Sequence, residues 1–156
     1  MELISKSAKE TLNLGKRLAR HLKPPDIICL FGQLGSGKTV LAKGIAQGLG
    51  IKQTRVISPS FVLIRQYRSP RLSLYHFDLY RLNSEDDIFA LGYEEYFYNE
   101  AITVVEWADR LSYLLPKEYL KVELLFKSAA QRLIKFKALG SHYKDLLDRL
   151  DEDIRH

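Results

Sequence analysis

Two stretches of the chain are apolar without alternation: Ile27-Ile28-Cys29-Leu30-Phe31 and Ala101-Ile102-Thr103-Val104-Val105. Unbroken, partly β-branched runs of this length read as strands covered on both faces, which is the habit of parallel sheets. Elsewhere the pattern alternates. Leu120, Val122, Leu124 and Phe126 alternate with Lys121 and Glu123, and a second alternating run follows from Arg132 to Leu139. The Lys127–Gln131 segment between them predicts a hairpin. Runs over 61–67 and 72–78 flank Arg68-Ser69-Pro70-Arg71, and so short a connection allows only antiparallel pairing.

Helical spacing fills the gaps. Ser7-Ala8-Lys9-Glu10 reads as a capping box ahead of Leu12, Leu14, Leu18, Ala19 and Leu22, and Pro24-Pro25 ends that helix. Val40, Leu41, Ala42, Ile45, Ala46 and Leu49 form a second stripe that stops at Gly50. Ser84 offers an N-cap with Glu85, Asp86 and Asp87 in the first turn; that helix stops at Gly92, and another turn spans 93–98. Its aromatics, Tyr93, Tyr96, Phe97 and Tyr98, read as packing rather than as a stacking platform. A last stripe, Tyr143, Leu146, Leu147, Leu150 and Ile154, has charged residues opposite. Strands and helices interleave throughout, so the expectation is one α/β domain over residues 1–156.

Between the first buried strand and its helix lies Gly32-Gln33-Leu34-Gly35-Ser36-Gly37-Lys38-Thr39. It matches the phosphate-binding pattern G-x-x-x-x-G-K-[ST] at every position. A loop wrapped round a polyphosphate must turn its backbone N–H groups inward, and Gly32, Gly35 and Gly37 permit the required dihedrals and close approach. Leu34 and Ser36 complete the wrap. Lys38 supplies a point charge for the β- and γ-phosphates, and the Thr39 hydroxyl is a ligand for Mg²⁺. The third glycine of a dinucleotide-binding turn is absent. The fold expected from this context is a three-layer sandwich like that of P-loop NTPases, with a mixed sheet, a parallel core and antiparallel hairpins.

Composition changes the picture little. A chain of 156 residues suits one ordinary domain. The lone Cys29 cannot form an internal disulfide, which fits a reducing compartment. No signal peptide or membrane-length apolar run is visible, so the cytoplasm is the default. Charge is uneven. Residues 1–81 carry 14 Lys and Arg against 4 Asp and Glu, while residues 82–156 carry 10 against 15. The basic half around the loop suits an anionic ligand; it reads equally as a solvated face or as an RNA-facing one.

Two strand ends carry acids. Asp78 ends the 72–78 run, followed by Tyr80 and Arg81, and Glu106 follows the second buried strand, before Trp107. A carboxylate at such a strand tip is how phosphate-loop enzymes reach their metal from the second side; the residue is usually Asp, and here it is Glu106. Guanine-specific proteins carry Asn-Lys-x-Asp, which does not occur, so ATP is the preferred nucleotide. Three readings compete: an ATPase that drives a partner, a small-molecule kinase, and a nucleotide-sensing module. No arginine-bearing lid is evident, which counts against the kinase.

The loop 32–39, Ser58-Pro59-Ser60-Phe61, His76-Phe77-Asp78-Leu79-Tyr80-Arg81-Leu82 and Glu106-Trp107 stand in an order and at spacings that resemble the TsaE family. That family is the small ATPase of bacterial tRNA threonylcarbamoyladenosine formation, and the likeness runs from about Thr11 to the last hairpin. It implies ATP or ADP with Mg²⁺, slow hydrolysis alone, and TsaB and TsaD as partners in threonylcarbamoyl transfer to adenosine beside the anticodon. Contact with tRNA is then indirect. Carried over by position, Lys38 and Thr39 serve phosphate and metal, Glu106 is the metal-side carboxylate, and Asp78 serves the metal or the attacking water. Lys38, Asp78 and Glu106 are thus the expected catalytic residues. Trp107 lies beside the nucleotide, Ser60 stands where the family usually has Thr, and Arg132 matches a base-side contact.

Overall fold

The computed structural model describes residues 1–52, 64–97 and 100–156. Seven strands form one sheet: β1 (Glu2–Ser5), β2 (Ile27–Phe31), β3 (Ile64–Arg68), β4 (Ser73–Asp78), β5 (Ile102–Glu106), β6 (Tyr119–Phe126) and β7 (Arg132–Leu139). Their order across the sheet is β1-β7-β6-β2-β5-β4-β3. The centre is parallel, because β2 pairs in parallel with both β5 and β6, and β4 pairs in parallel with β5. The edges are the two antiparallel hairpins, β3–β4 and β6–β7, with β1 laid antiparallel on β7. The expected mixed sheet with a parallel core and hairpin margins is therefore the observed one.

Layers of helix cover both faces. Leu41 and Ile45 of α2 (Lys38–Gly48), Leu18 of α1 (Ala8–Ala19) and Leu146 and Leu150 of α5 (Ser141–Arg155) pack with Ile28, Leu30, Val104 and Val122 of the sheet. The opposite face presents Ile27, Cys29, Phe77 and Val105 to Ile88 of α3 (Glu85–Ala90), Phe97 of α4 (Tyr93–Phe97) and Leu111 of a 3₁₀ segment (Ala108–Leu114). Successive residues of β2 thus serve different cores, which is why its sequence shows no polar alternation. The α4 aromatics are packing, as expected: Tyr93 and Phe97 are buried and meet edge to face, 5.1 Å between ring centroids.

Helix starts follow the sequence signals. The Ser7 hydroxyl oxygen accepts the Glu10 N–H at 3.1 Å, and Ser84 caps Asp87 in the same way. The return arm of the expected capping box is displaced by one residue, since the Glu10 carboxylate accepts from the Lys6 N–H. Helices α1 and α2 touch through backbone. A Cβ on Gly15 would lie 2.5 Å from the Leu41 carbonyl oxygen, and one on Gly44 would run into the Leu12 carbonyl. β1 and the 3₁₀ segment have no counterpart in the sequence reading. The 53–63 stretch, with its Ser58-Pro59-Ser60-Phe61 tetrapeptide, and residues 98–99 lie outside the described residues.

Candidate active site

The site begins where β2 hands over to α2. Gly37, the residue before α2, takes φ 104°, and no side chain caps the helix start. The first N–H groups of α2 are left facing the loop, an arrangement suited to an anion. Gly32 is required for contact reasons: an added Cβ would lie 2.5 Å from Ser36 Oγ and 2.6 Å from the Leu124 carbonyl oxygen. Lys38 closes the loop on itself. Its Nζ donates to the carbonyls of Gly32 at 2.6 Å and Gln33 at 2.8 Å, and lies 4.1 Å from the centre of a Trp107 ring. Burial lowers the Lys38 pKa from its usual 10.5, while the negative fields of Glu106, Asp109 and Asp78 pull it partly back.

The carboxylates come from adjacent parallel strands that end together. Asp78 of β4 stands beside Glu106 of β5 in the register, and both side chains are buried. The Thr39 hydroxyl donates to Glu106 Oε1 at 2.6 Å. The other carboxylate oxygen, Oε2, lies 2.5 Å from His76 Nε2. Asp78 Oδ1 accepts the Tyr80 N–H at 3.0 Å. A cavity of about 300 Å³ lies between the loop, Asp78, Tyr80, Arg81, Glu106 and Trp107. A second, of about 430 Å³, lies on the other side of the loop, between the start of α1 and the β6–β7 turn.

A hydroxyl and carboxylates are hard oxygen donors, which suit Mg²⁺ rather than a softer metal. Among the described residues no cluster of three His, Cys, Asp or Glu side chains offers a metal cage. An ion here would need phosphate oxygens to complete its shell, as Mg²⁺ normally does. The glycine loop and this donor set fit a Mg²⁺–nucleotide pair.

Comparison with known proteins gives this arrangement a family. Residues 5–134 match the model of the threonylcarbamoyl adenosine biosynthesis protein TsaE. The chain belongs to the TsaE family. It is 41% identical over 143 residues to the tRNA threonylcarbamoyladenosine biosynthesis protein TsaE of Bacillus subtilis, covering 91% of this chain and 88% of that protein. The Treponema pallidum TsaE is 40% identical over 124 residues, covering 80% and 90% respectively. The crystal structure of Bacillus subtilis YdiB superimposes with a TM-score of 0.85 at 33% identity, over 98% of this chain and 95% of that one.

Within this TsaE-family site, the structure brings together Gly32, Gly35, Ser36, Gly37, Lys38, Thr39, Asp78, Glu106 and Trp107. Leu34 is at the rim, 69% exposed. Arg132 lies on the other side of the loop. Its guanidinium donates to the Gly35 carbonyl at 3.2 Å and to the Ser128, Ala129 and Gln131 carbonyls, and stacks 4.3 Å from the centre of the Phe126 ring. Ser60 lies outside the described residues.

Several site residues have no role in the sequence reading, among them His76, Asp109 and Tyr80. His76 precedes Asp78 by two in the same strand, so the period-two rule puts both on one sheet face. That rule was enough to find it. Asp109 acts only through its field on Lys38, and its place depends on Trp107, which takes the left-handed conformation at φ 57°. No local sequence signal marks a bulky aromatic for that conformation. The Tyr80 ring, tilted against Trp107 at 4.9 Å, depends on the same turn.

Proposed function

We propose that this chain binds ATP or ADP with Mg²⁺ and hydrolyses ATP, slowly when alone. It does so in the cytoplasm, with TsaB and TsaD, in support of threonylcarbamoyl transfer to the adenosine next to the tRNA anticodon. Its contact with tRNA is indirect. One observation carries the reading: the Thr39 hydroxyl and the Glu106 carboxylate meet at 2.6 Å beside a buried lysine that the carboxylates of two strand tips help keep charged. Such a juxtaposition of loop lysine, hydroxyl and strand-end acid has a clear use at a triphosphate and none in packing.

In this reading the loop N–H groups and Lys38 hold the β- and γ-phosphates and offset charge that develops on the γ-phosphate during transfer to water. Thr39 and Glu106 would hold Mg²⁺, with Asp78 beside them, and the ion would supply further neutralisation of phosphate charge. Asp78 orders the attacking water; the Tyr80 N–H fixes the orientation of its carboxylate. Leu34 and Tyr80 leave apolar surface exposed at the rim, which suits a site completed by another protein.

The test is the ATPase rate with and without the TsaB–TsaD pair. The expected result is a rise of at least about tenfold with the pair, as for other phosphoryl-transfer sites completed in trans. Asp78→Ala is expected to keep nucleotide binding and to lose about 10²-fold or more in hydrolysis. A rate indifferent to the pair, or normal hydrolysis by Asp78→Ala in the assembled complex, overturns the reading.

A further inference from the structure

His76 makes the shortest polar contact described in the site and has no part in the mechanism above. Its Nε2 lies 2.5 Å from Glu106 Oε2, and both side chains are only 2% exposed. A carboxylate oxygen can only accept, so the imidazole Nε2–H donates. The other oxygen of the same carboxylate accepts from Thr39. Glu106 is therefore held from two sides, by β4 through His76 and by α2 through Thr39.

The need for this second hold follows from the residue type. Glutamate stands where a shorter aspartate is usual, and its extra methylene adds a freely turning bond between the strand and the carboxylate. Leaving that bond unrestrained would spread the carboxylate over several orientations, and ordering it on ligand binding would cost side-chain entropy. A buried donor on the neighbouring strand removes the spread in advance. Partners of this kind, which orient a ligating group without touching the ion, are commonly worth 10- to 100-fold in metal affinity.

We propose that His76 is a positioning residue: it fixes the Glu106 carboxylate so that Oε1 faces Thr39 and the place where Mg²⁺ binds beside a nucleotide. The inference rests on the reading of Glu106 as the metal-side carboxylate. It concerns orientation alone and requires no change of protonation.

The experiment uses the full chain saturated with ADP. Mg²⁺ is titrated in, and the emission of Trp107, the only tryptophan, is followed. ADP affinity is measured separately in excess chelator. His76→Leu is expected to weaken Mg²⁺ binding about 10- to 100-fold, with metal-free ADP affinity changed by less than about twofold, since His76 touches no loop atom in the contacts described. His76→Gln, whose amide nitrogen reaches about as far as the imidazole Nε2, is expected to recover most of the loss. His76→Asn, polar but too short, is expected to behave like His76→Leu and replaces it if the leucine variant does not fold. In a Glu106→Gln background, His76→Leu should add almost nothing, because the group it orients is already altered.

Wild-type Mg²⁺ affinity in both His76→Leu and His76→Asn, alongside a Glu106→Gln variant that binds Mg²⁺ poorly, sinks this inference and leaves the proposed function standing. So does full independence of the His76 and Glu106 effects. Unchanged Mg²⁺ affinity in Glu106→Gln sinks both.

Discussion

Lys38 and Arg132 both donate to backbone carbonyls of the same loop, from opposite sides, and their surroundings differ in kind. Lys38 is buried, faces three carboxylates and lies against Trp107. Arg132 is partly exposed, and the partners described for it are four carbonyls and the face of Phe126. The lysine gives up hydration, which lowers its pKa, and that deficit is what an incoming phosphate would relieve. The arginine stays partly exposed, and its two terminal nitrogens already donate to the turn and to the loop. On the proposed function, one wall of the loop serves chemistry and the other shape. The hydrogen bonds of Arg132 tie the β6–β7 turn to the loop, and the same side chain lines the cavity beyond the loop, where the resemblance expects a base-side contact.

Three measurements would break or sharpen that contrast. Lys38→Ala should reduce nucleotide affinity by two orders of magnitude or more, to the limit of detection by calorimetry, because a buried charge-assisted contact has no substitute. A loss under about fivefold would remove the distinction between the walls.

Next is pH. The depressed Lys38 pKa means that the ammonium is fully present below that value and is lost as pH rises through it. Nucleotide affinity should therefore fall as pH rises through that lowered value, below the usual 10.5, by about tenfold per unit once the lysine is neutral in the free protein. In Lys38→Arg the fall should vanish, whatever the starting affinity, because a guanidinium keeps its charge over the range. An identical alkaline fall in Lys38→Arg would assign the pH dependence elsewhere.

The smallest effect belongs to Arg132→Ala. Partly exposed contacts of this kind contribute about 1 kcal/mol or less. Nucleotide affinity should drop by no more than about fivefold, which is what that energy amounts to, with the hydrolysis rate at saturation unchanged. A hundredfold loss would place Arg132 in direct ligand contact.

Much of this was legible in the residues. The buried strands at 27–31 and 101–105, both hairpins, the glycine loop and the two acid-bearing strand tips follow from periodicity and motif. What escaped depends on long-range pairing or on backbone geometry without a local mark. β1 is four residues long and owes its existence to β7, where Glu2 pairs with Lys135 from the far end of the chain. Strand order is set by the same kind of contact. Trp107 adopts a left-handed turn for which nothing in its own chemistry asks, and Asp109 falls near Lys38 only because of it. Arg132 is a different case: its place by the loop follows from the resemblance, but a sequence cannot show the four carbonyls that its guanidinium meets.

The glycine contact between α1 and α2 bears on how the cavity beyond the loop can change its width. One of its walls is the start of α1 and the other is the β6–β7 turn. At Gly15 and Gly44 the two helices meet main chain to main chain, with no side chain between them to swing aside. The first wall is therefore clamped to the helix that carries Lys38, and rotamer changes at that contact cannot move it. What remains to set the width of this cavity is the turn on its other side, which Arg132 ties to the loop through the Gly35 carbonyl.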